Sequence, residues 1–203
     1  MLAILDHHGM PENVPWFFLG AMSPYSWFAA ERIADVLAEA RWRGVLAGAV
    51  FKANDRVSWG LTERREQGMA DCEARAKAHG LGPIRWPEPW PTSDLLVARA
   101  MVFAEFRGVL ERFALSAMRL CFLEGQDLGE MESVLASGER VGIERAELET
   151  AIADREIKDR LRAQTDEVLA LGVFGVPTVV VGTELFWGDD RLEDAAASYR
   201  AAS

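Results

Sequence analysis

The chain has 203 residues, half of them hydrophobic and 27% charged, with 17 glycines and eight prolines scattered through it. That is one globular domain, or one domain with a sizeable insertion, and it excludes a disordered, fibrous or two-domain chain. A net charge of −10, from 22 Lys and Arg against 32 Asp and Glu, repels phosphate backbones and anionic lipid surfaces, which excludes nucleic acid and membranes as partners.

The two cysteines, Cys72 and Cys121, lie far apart in the chain. They form neither a disulfide framework, a Cys-x-x-Cys pair nor a zinc knuckle, and reduced thiols in a cytoplasmic protein are expected. Residues 1–20 lack a basic n-region, carry Asp6 and Glu12, and are broken by His7, His8 and Pro11, unlike a secretory signal. The longest apolar run, 168–182, contains Pro177 and Thr178 and falls short of the roughly 18 residues a membrane helix needs.

In chain order, the apolar run 15–22 reads as a strand, followed by Ser23-Pro24 as a hydroxyl cap and a first-turn proline. Helical spacing over 27–41, closed by Arg41, Arg43 and Gly44, predicts the first helix. The run 45–51 is expected to be a second strand, parallel to the first through a right-handed crossover. From 58 to 171 apolar residues recur at helical spacing. Helices are expected over 62–79, over 95–123 as two pieces bent near Gly108, and over 129–136, 145–153 and 155–171. Thr92-Ser93-Asp94 is read as the cap of the 95–123 stretch. The β pattern returns at 176–181, with Pro177 at its head, then a Gly182-Thr183 turn, a return strand at 185–187, and Asp189 as the cap of a last helix. The order βαβ, helices, ββα is a thioredoxin-like α/β fold with an inserted all-helical domain. The expected boundaries are 1–57 with 172–203 for the first unit and 58–171 for the second.

Three points on that plan could carry chemistry. Ser23-Pro24-Tyr25-Ser26 occupies the place of a thioredoxin-type cysteine pair, and a hydroxyl cannot exchange disulfides because the reaction needs a thiolate. Ser23 can instead donate its O–H to an anion at the start of the helix, or serve only as a cap. Val176-Pro177 is either an ordinary strand-edge proline or a cis proline whose preceding residue pairs with a ligand backbone. Asp189 and Asp190 either compensate a helix dipole or receive a ligand ammonium. His7, His8 and His79 have no acid or thiol at ligand spacing, so no metal site is expected.

The segments SPYSWFAAERI (23–33), LAGAVFKAND (46–55), GLGPIRWP (80–87) and above all GVFGVPTVVVGTELFWGDDRL (172–192) closely resemble the 2-hydroxychromene-2-carboxylate isomerases. These are relatives of kappa-class glutathione transferases and of the DsbA branch of the thioredoxin fold. The resemblance implies a cytoplasmic, homodimeric enzyme using glutathione as cofactor on a small conjugated aromatic substrate. It implies Ser23 on the glutathione sulfur, Val176 and Pro177 against the cysteinyl backbone, Asp189 and Asp190 at the γ-glutamyl end, Lys52 and Asn54 bordering the site, and Arg64 in place of a lysine of the next loop. Relatives often carry an aspartate where this chain has Gly20, and a neutral polar residue where it has Asp189. Trp59, Trp86 and Trp90 are candidate substrate contacts or simple packing. The alternatives are a kappa-class-like transferase, a non-catalytic glutathione- or peptide-binding protein, and a thiol-disulfide oxidoreductase, the last opposed by the missing cysteines.

Overall fold

The structure, a computed structural model, describes residues 14–202. The expectations placed on residues 1–13, His7 and His8 included, lie outside it. Strand β1 is Trp16–Leu19. Trp16 and Phe18 join the core on one sheet face, Phe17 and Leu19 the core on the other. Burial on both faces is why the run reads as continuously apolar. Each of these fully buried aromatic rings contributes roughly 1.5–3 kcal/mol by leaving water.

Ser23 caps α1, Pro24–Ala30, with Pro24 opening the helix. The expected single helix over 27–41 is two shorter ones, α1 and the turn α2 at Ile33–Val36. Two further expectations are corrected. Arg41 and Arg43 belong not to a helix terminus but to strand β2, Arg41–Gly44. The run 45–51 is not a strand; it leads into helix α3, Ala47–Ala53. The cause in β2 is tertiary. Arg43, 7% exposed, pairs with Glu167 at 3.1 Å and Glu105 at 3.5 Å and lies over the Trp16 ring at 4.5 Å, so a residue that reads as surface is held inside. In α3, Ala47, Gly48 and Ala49 lack the branched side chains that favour a pleated strand.

A single 3₁₀ turn, Trp59–Leu61, precedes α4, Arg65–Ala78. Helices α5, Leu95–Phe106, and α6, Leu110–Glu124, are separated at Gly108, whose φ of 66° suits glycine. Then come α7, Met131–Glu139, α8, Arg145–Ala153, and α9, Arg155–Ala170. Strands β3, Thr178–Val181, and β4, Glu184–Trp187, form a hairpin. A 3₁₀ turn at Asp189–Arg191 leads to α10, Leu192–Ala202. The sheet order is β2-β1-β3-β4, with β2 parallel to β1 and the other pairs antiparallel. This is the thioredoxin-like plan with a helical insertion. The larger core lies where α5 and α6 bring Met101, Phe113, Met118 and Phe122 against the sheet face that carries Phe17 and Leu19.

Candidate functional site

The turn after β1 and the peptide before β3 meet at one end of the sheet. The Ser23 N–H donates to the Gly20 carbonyl at 3.0 Å, and Ser23 Oγ accepts the Ser26 N–H at 3.3 Å. That bond uses an oxygen lone pair, which leaves the hydroxyl proton available to an outside acceptor. Ser26 is used differently. Its side chain is fully buried and its Oγ accepts the Gly20 N–H at 3.3 Å. A Cβ at Gly20 would stand 2.8 Å from the Ala47 Cβ and 3.3 Å from the Val176 Cγ2. Position 20 therefore has no room for a side chain as large as aspartate.

Val176-Pro177 is cis. Pro177 C=O accepts the Gly188 N–H at 3.0 Å, but no hydrogen bond among the described residues engages the N–H or C=O of Val176. An unpaired backbone donor and acceptor just ahead of a strand can pair with a ligand backbone. Both Ser23 and Val176 line a cavity of about 390 Å³. Its walls are largely apolar, with Met22, Phe51, Trp59, Trp90 and Trp187 among them, and it includes Lys52, Arg56 and Asp94. Trp59 and Trp90 pack at 5.1 Å between ring centres, and Trp86 stands behind Trp90 at 4.6 Å with its indole N–H donated to Glu73.

A family description, the DSBA-like thioredoxin domain, matches residues 16–200. The chain belongs to the DSBA-like thioredoxin domain family. It is 24% identical over 188 residues to the 2-hydroxychromene-2-carboxylate isomerase of Pseudomonas putida, covering 87% of this chain and 89% of that protein. The solved structure of a 2-hydroxychromene-2-carboxylate isomerase aligns with a TM-score of 0.79 at 21% identity, over 93% of this chain and 95% of that one. The cytosolic disulfide reductase DsbM of Pseudomonas aeruginosa, solved with GSH, aligns with a TM-score of 0.60 at 16% identity, over 93% of this chain and 98% of that one.

In this DSBA-like domain the acidic pair beyond β4 is split. Asp189 is 1% exposed; its Oδ1 accepts from Arg75 at 2.6 Å and its Oδ2 stands 3.5 Å from His79 Nε2. It does not cap α10, as the sequence suggests, but ties the start of that helix to α4. Arg75 in turn lies 5.5 Å from the Tyr25 ring centre, and Tyr25 lines the cavity. The extra negative charge at position 189 is thus neutralised within the protein. Asp190 is exposed, and its carboxylate lies over Gly188 with no hydrogen-bond or ion-pair partner among the described residues.

Of the residues proposed from the sequence, the structure brings Ser23, Lys52 and Val176 to one cavity, with Pro177 adjoining. Asn54 does not line it; its side-chain amide donates to the Val50 carbonyl at 2.9 Å and closes α3. Arg64 is exposed at the start of α4, also outside the lining. Cys121 is buried, and burial pushes its thiol pKa up. Cys72 is buried too and lies against Tyr25 of α1, and burial pushes its thiol up to about 12. Neither thiol is a nucleophile at neutral pH.

Among the cavity residues that sequence reasoning does not single out are Tyr25, Arg56, Asp94 and Trp187. Tyr25 and Trp187 stand inside the recognised motifs without being singled out. Asp94 is read there as the cap of α5, yet the Ser93 Oγ accepts the Leu95 N–H at 3.4 Å while Asp94 Oδ2 accepts the Gly48 N–H of α3 at 3.3 Å. Burial raises the pKa of this carboxyl, against the lowering effect of the surrounding backbone N–H groups.

Proposed function

We propose that the chain is a glutathione-dependent isomerase acting on 2-hydroxychromene-2-carboxylate or a related conjugated aromatic substrate. The observation that carries this reading is the pairing of a free Ser23 hydroxyl with an unpaired Val176 peptide edge on one aromatic-walled cavity. A peptide thiol fits that pair: the edge takes its backbone, and the hydroxyl takes its sulfur. The names of the full-length relatives support the isomerase assignment, and the GSH complex of DsbM supports the fold as a glutathione carrier.

When bound, glutathione supplies a thiolate that adds to a conjugated carbon of the substrate and leaves again, so that it returns unchanged. The protein's part is to hold and activate. The Ser23 O–H donates to the sulfur and favours its anionic form, worth about 1.5–3 kcal/mol for a single donor to a charged acceptor, or about one to two pKa units. The Val176 N–H and C=O fix the cysteinyl backbone, Asp190 receives the ammonium at the γ-glutamyl end, and Lys52 borders the ligand. Trp59, Trp90 and Trp187 offer flat faces to an aromatic ring and keep water from it.

Calorimetric titration with reduced glutathione, followed by turnover of 2-hydroxychromene-2-carboxylate with and without it, tests the proposal. Saturable binding and strictly glutathione-dependent turnover are expected, together with no reduction of insulin disulfides. Turnover that proceeds equally well without glutathione overturns it.

A further inference from the structure

Among the described residues, two cations that line the cavity, Lys52 and Arg56, have no ion-pair partner. Arg32, Arg107, Arg119, Arg140 and Arg145 each reach a carboxylate. Arg56 reaches none among the described residues, as is also true of Arg41, Arg64 and Arg112, but Arg56 alone of these lines the cavity. Its guanidinium instead lies 4.6 Å from the Trp187 ring centre and 5.4 Å from that of Phe174.

The backbone fixes it there. Helix α3 ends with Asp55 at φ 52°; the Arg56 N–H donates to the Phe51 carbonyl at 2.8 Å and the Asp55 N–H to the Lys52 carbonyl at 3.3 Å. This is the paired closure that ends a helix through one left-handed residue, and it turns the following side chain back along the helix end. The aromatic platform is fixed as well. A Cβ at Gly175 would stand 2.6 Å from the Trp187 Nε1, so the indole lies directly on the backbone next to Val176.

A guanidinium held over aromatic rings by cation–π attraction commits no N–H to a carboxylate, and its planar fork matches a carboxylate with two parallel hydrogen bonds. Arg56 and Trp187 line the same cavity as Ser23 and Val176. Building on the function proposed above, we infer that Arg56 on its Phe174–Trp187 platform receives the carboxylate of the aromatic substrate, making it the residue by which the site selects planar aromatic acids over their neutral isosteres. The ring then lies against the tryptophan walls, and the carboxylate is anchored one residue from the peptide edge.

The test is direct binding, with 2-naphthoate as the aromatic acid, 2-naphthamide as its neutral isostere, and reduced glutathione titrated separately. Arg56→Gln is expected to weaken 2-naphthoate by about ten- to a hundredfold, the loss of a charge-assisted pair. Arg56→Lys is expected to recover only part of this, because an ammonium has no planar fork. The amide is expected to bind weakly and equally to parent and variants, and glutathione to bind all three alike. Arg56 is exposed, and unchanged thermal unfolding of the variants is expected. The inference is overturned if the parent does not prefer the acid to the amide, if Arg56→Gln binds 2-naphthoate as the parent does, or if the variant loses glutathione instead, which would place Arg56 in the glutathione site. Failure of the parent to bind glutathione would sink the proposed function while leaving the naphthoate comparison standing.

Discussion

Two polar regions lie on either side of Tyr25, and they are built in opposite ways. Beside α4 the polar groups are spent on one another: Asp189 on Arg75 and His79, Arg32 on Glu193 and the Asp189 carbonyl, Tyr25 on Cys72. Across the cavity the polar groups are unspent: the Ser23 proton, the Val176 peptide edge, the Lys52 ammonium, and the Arg56 guanidinium held over Trp187. A cluster whose charges are largely paired within the protein stabilises the fold and has little left for a ligand, although Asp189 Oδ2 makes no hydrogen bond, whereas groups without partners represent binding energy kept for something else. The acidic pair is divided by burial: Asp189 is buried against Arg75, whereas Asp190 is exposed, has no hydrogen bond among the described residues, and reaches Arg75 only through charge.

The largest expected effect follows from that split. Asp189→Ala leaves Arg75 and His79 facing a buried space without their carboxylate, and it is expected to cost about 2–3 kcal/mol of stability, less than a fully buried pair because Arg75 is partly exposed. In a domain of this size that lowers the thermal midpoint by about 4–12 °C, which calorimetry measures directly. If unfolding is unchanged and only glutathione binding is lost, the two regions have been assigned the wrong way round. Asp190→Ala is expected to do the reverse. Glutathione binding weakens by about 1.5–3 kcal/mol, the range for a charge-assisted hydrogen bond to an ammonium, while unfolding moves by no more than about 0.5 kcal/mol. A stability loss in Asp190→Ala equal to that in Asp189→Ala would erase the distinction.

The same contrast explains what was legible in the sequence. The β-branched run 178–181, the Ser-Pro helix start and the proline ahead of β3 are local signals, and they locate the fold, Ser23 and Val176. What was illegible depends on partners distant in the chain. Arg43 reads as the close of a helix because Glu105 and Glu167, which hold it inside the sheet, belong to α5 and α9. Asp94 reads as a cap for its own helix because nothing local shows that it serves Gly48. The Arg75 pairing of Asp189 and the stacking of Arg56 on Trp187 are likewise invisible to spacing rules.

A smaller effect is expected on the cavity side. Because burial raises the folded-state pKa of Asp94 above its unfolded value of about 3.9, the folded protein binds that proton more tightly than the unfolded chain. The resulting stabilisation is complete below the unfolded pKa and is lost as pH rises through the folded one. Ionised Asp94 is therefore a cost at neutral pH. Asp94→Asn, which keeps an oxygen for the Gly48 N–H, is expected to be slightly more stable than the parent to urea at pH 7. That advantage should disappear below about pH 4. A variant less stable at pH 7 would mean that the negative charge at the start of α3 outweighs its burial.

The central claim is that the Ser23 hydroxyl is kept for a bound sulfur, and the thiolate absorbance of glutathione titrated on the parent, on Ser23→Ala and on Ser26→Ala tests it most directly. The parent should hold the bound thiol below the ordinary thiol pKa of about 8.5. Ser23→Ala should raise it by about one to two units, with turnover near neutral pH falling about ten- to a hundredfold. Ser26→Ala, which removes the acceptor of the Gly20 N–H, should lose stability but leave the bound thiol nearly where it is in the parent. A bound-thiol pKa that does not move in Ser23→Ala would contradict the account and reduce Ser23 to the cap of α1.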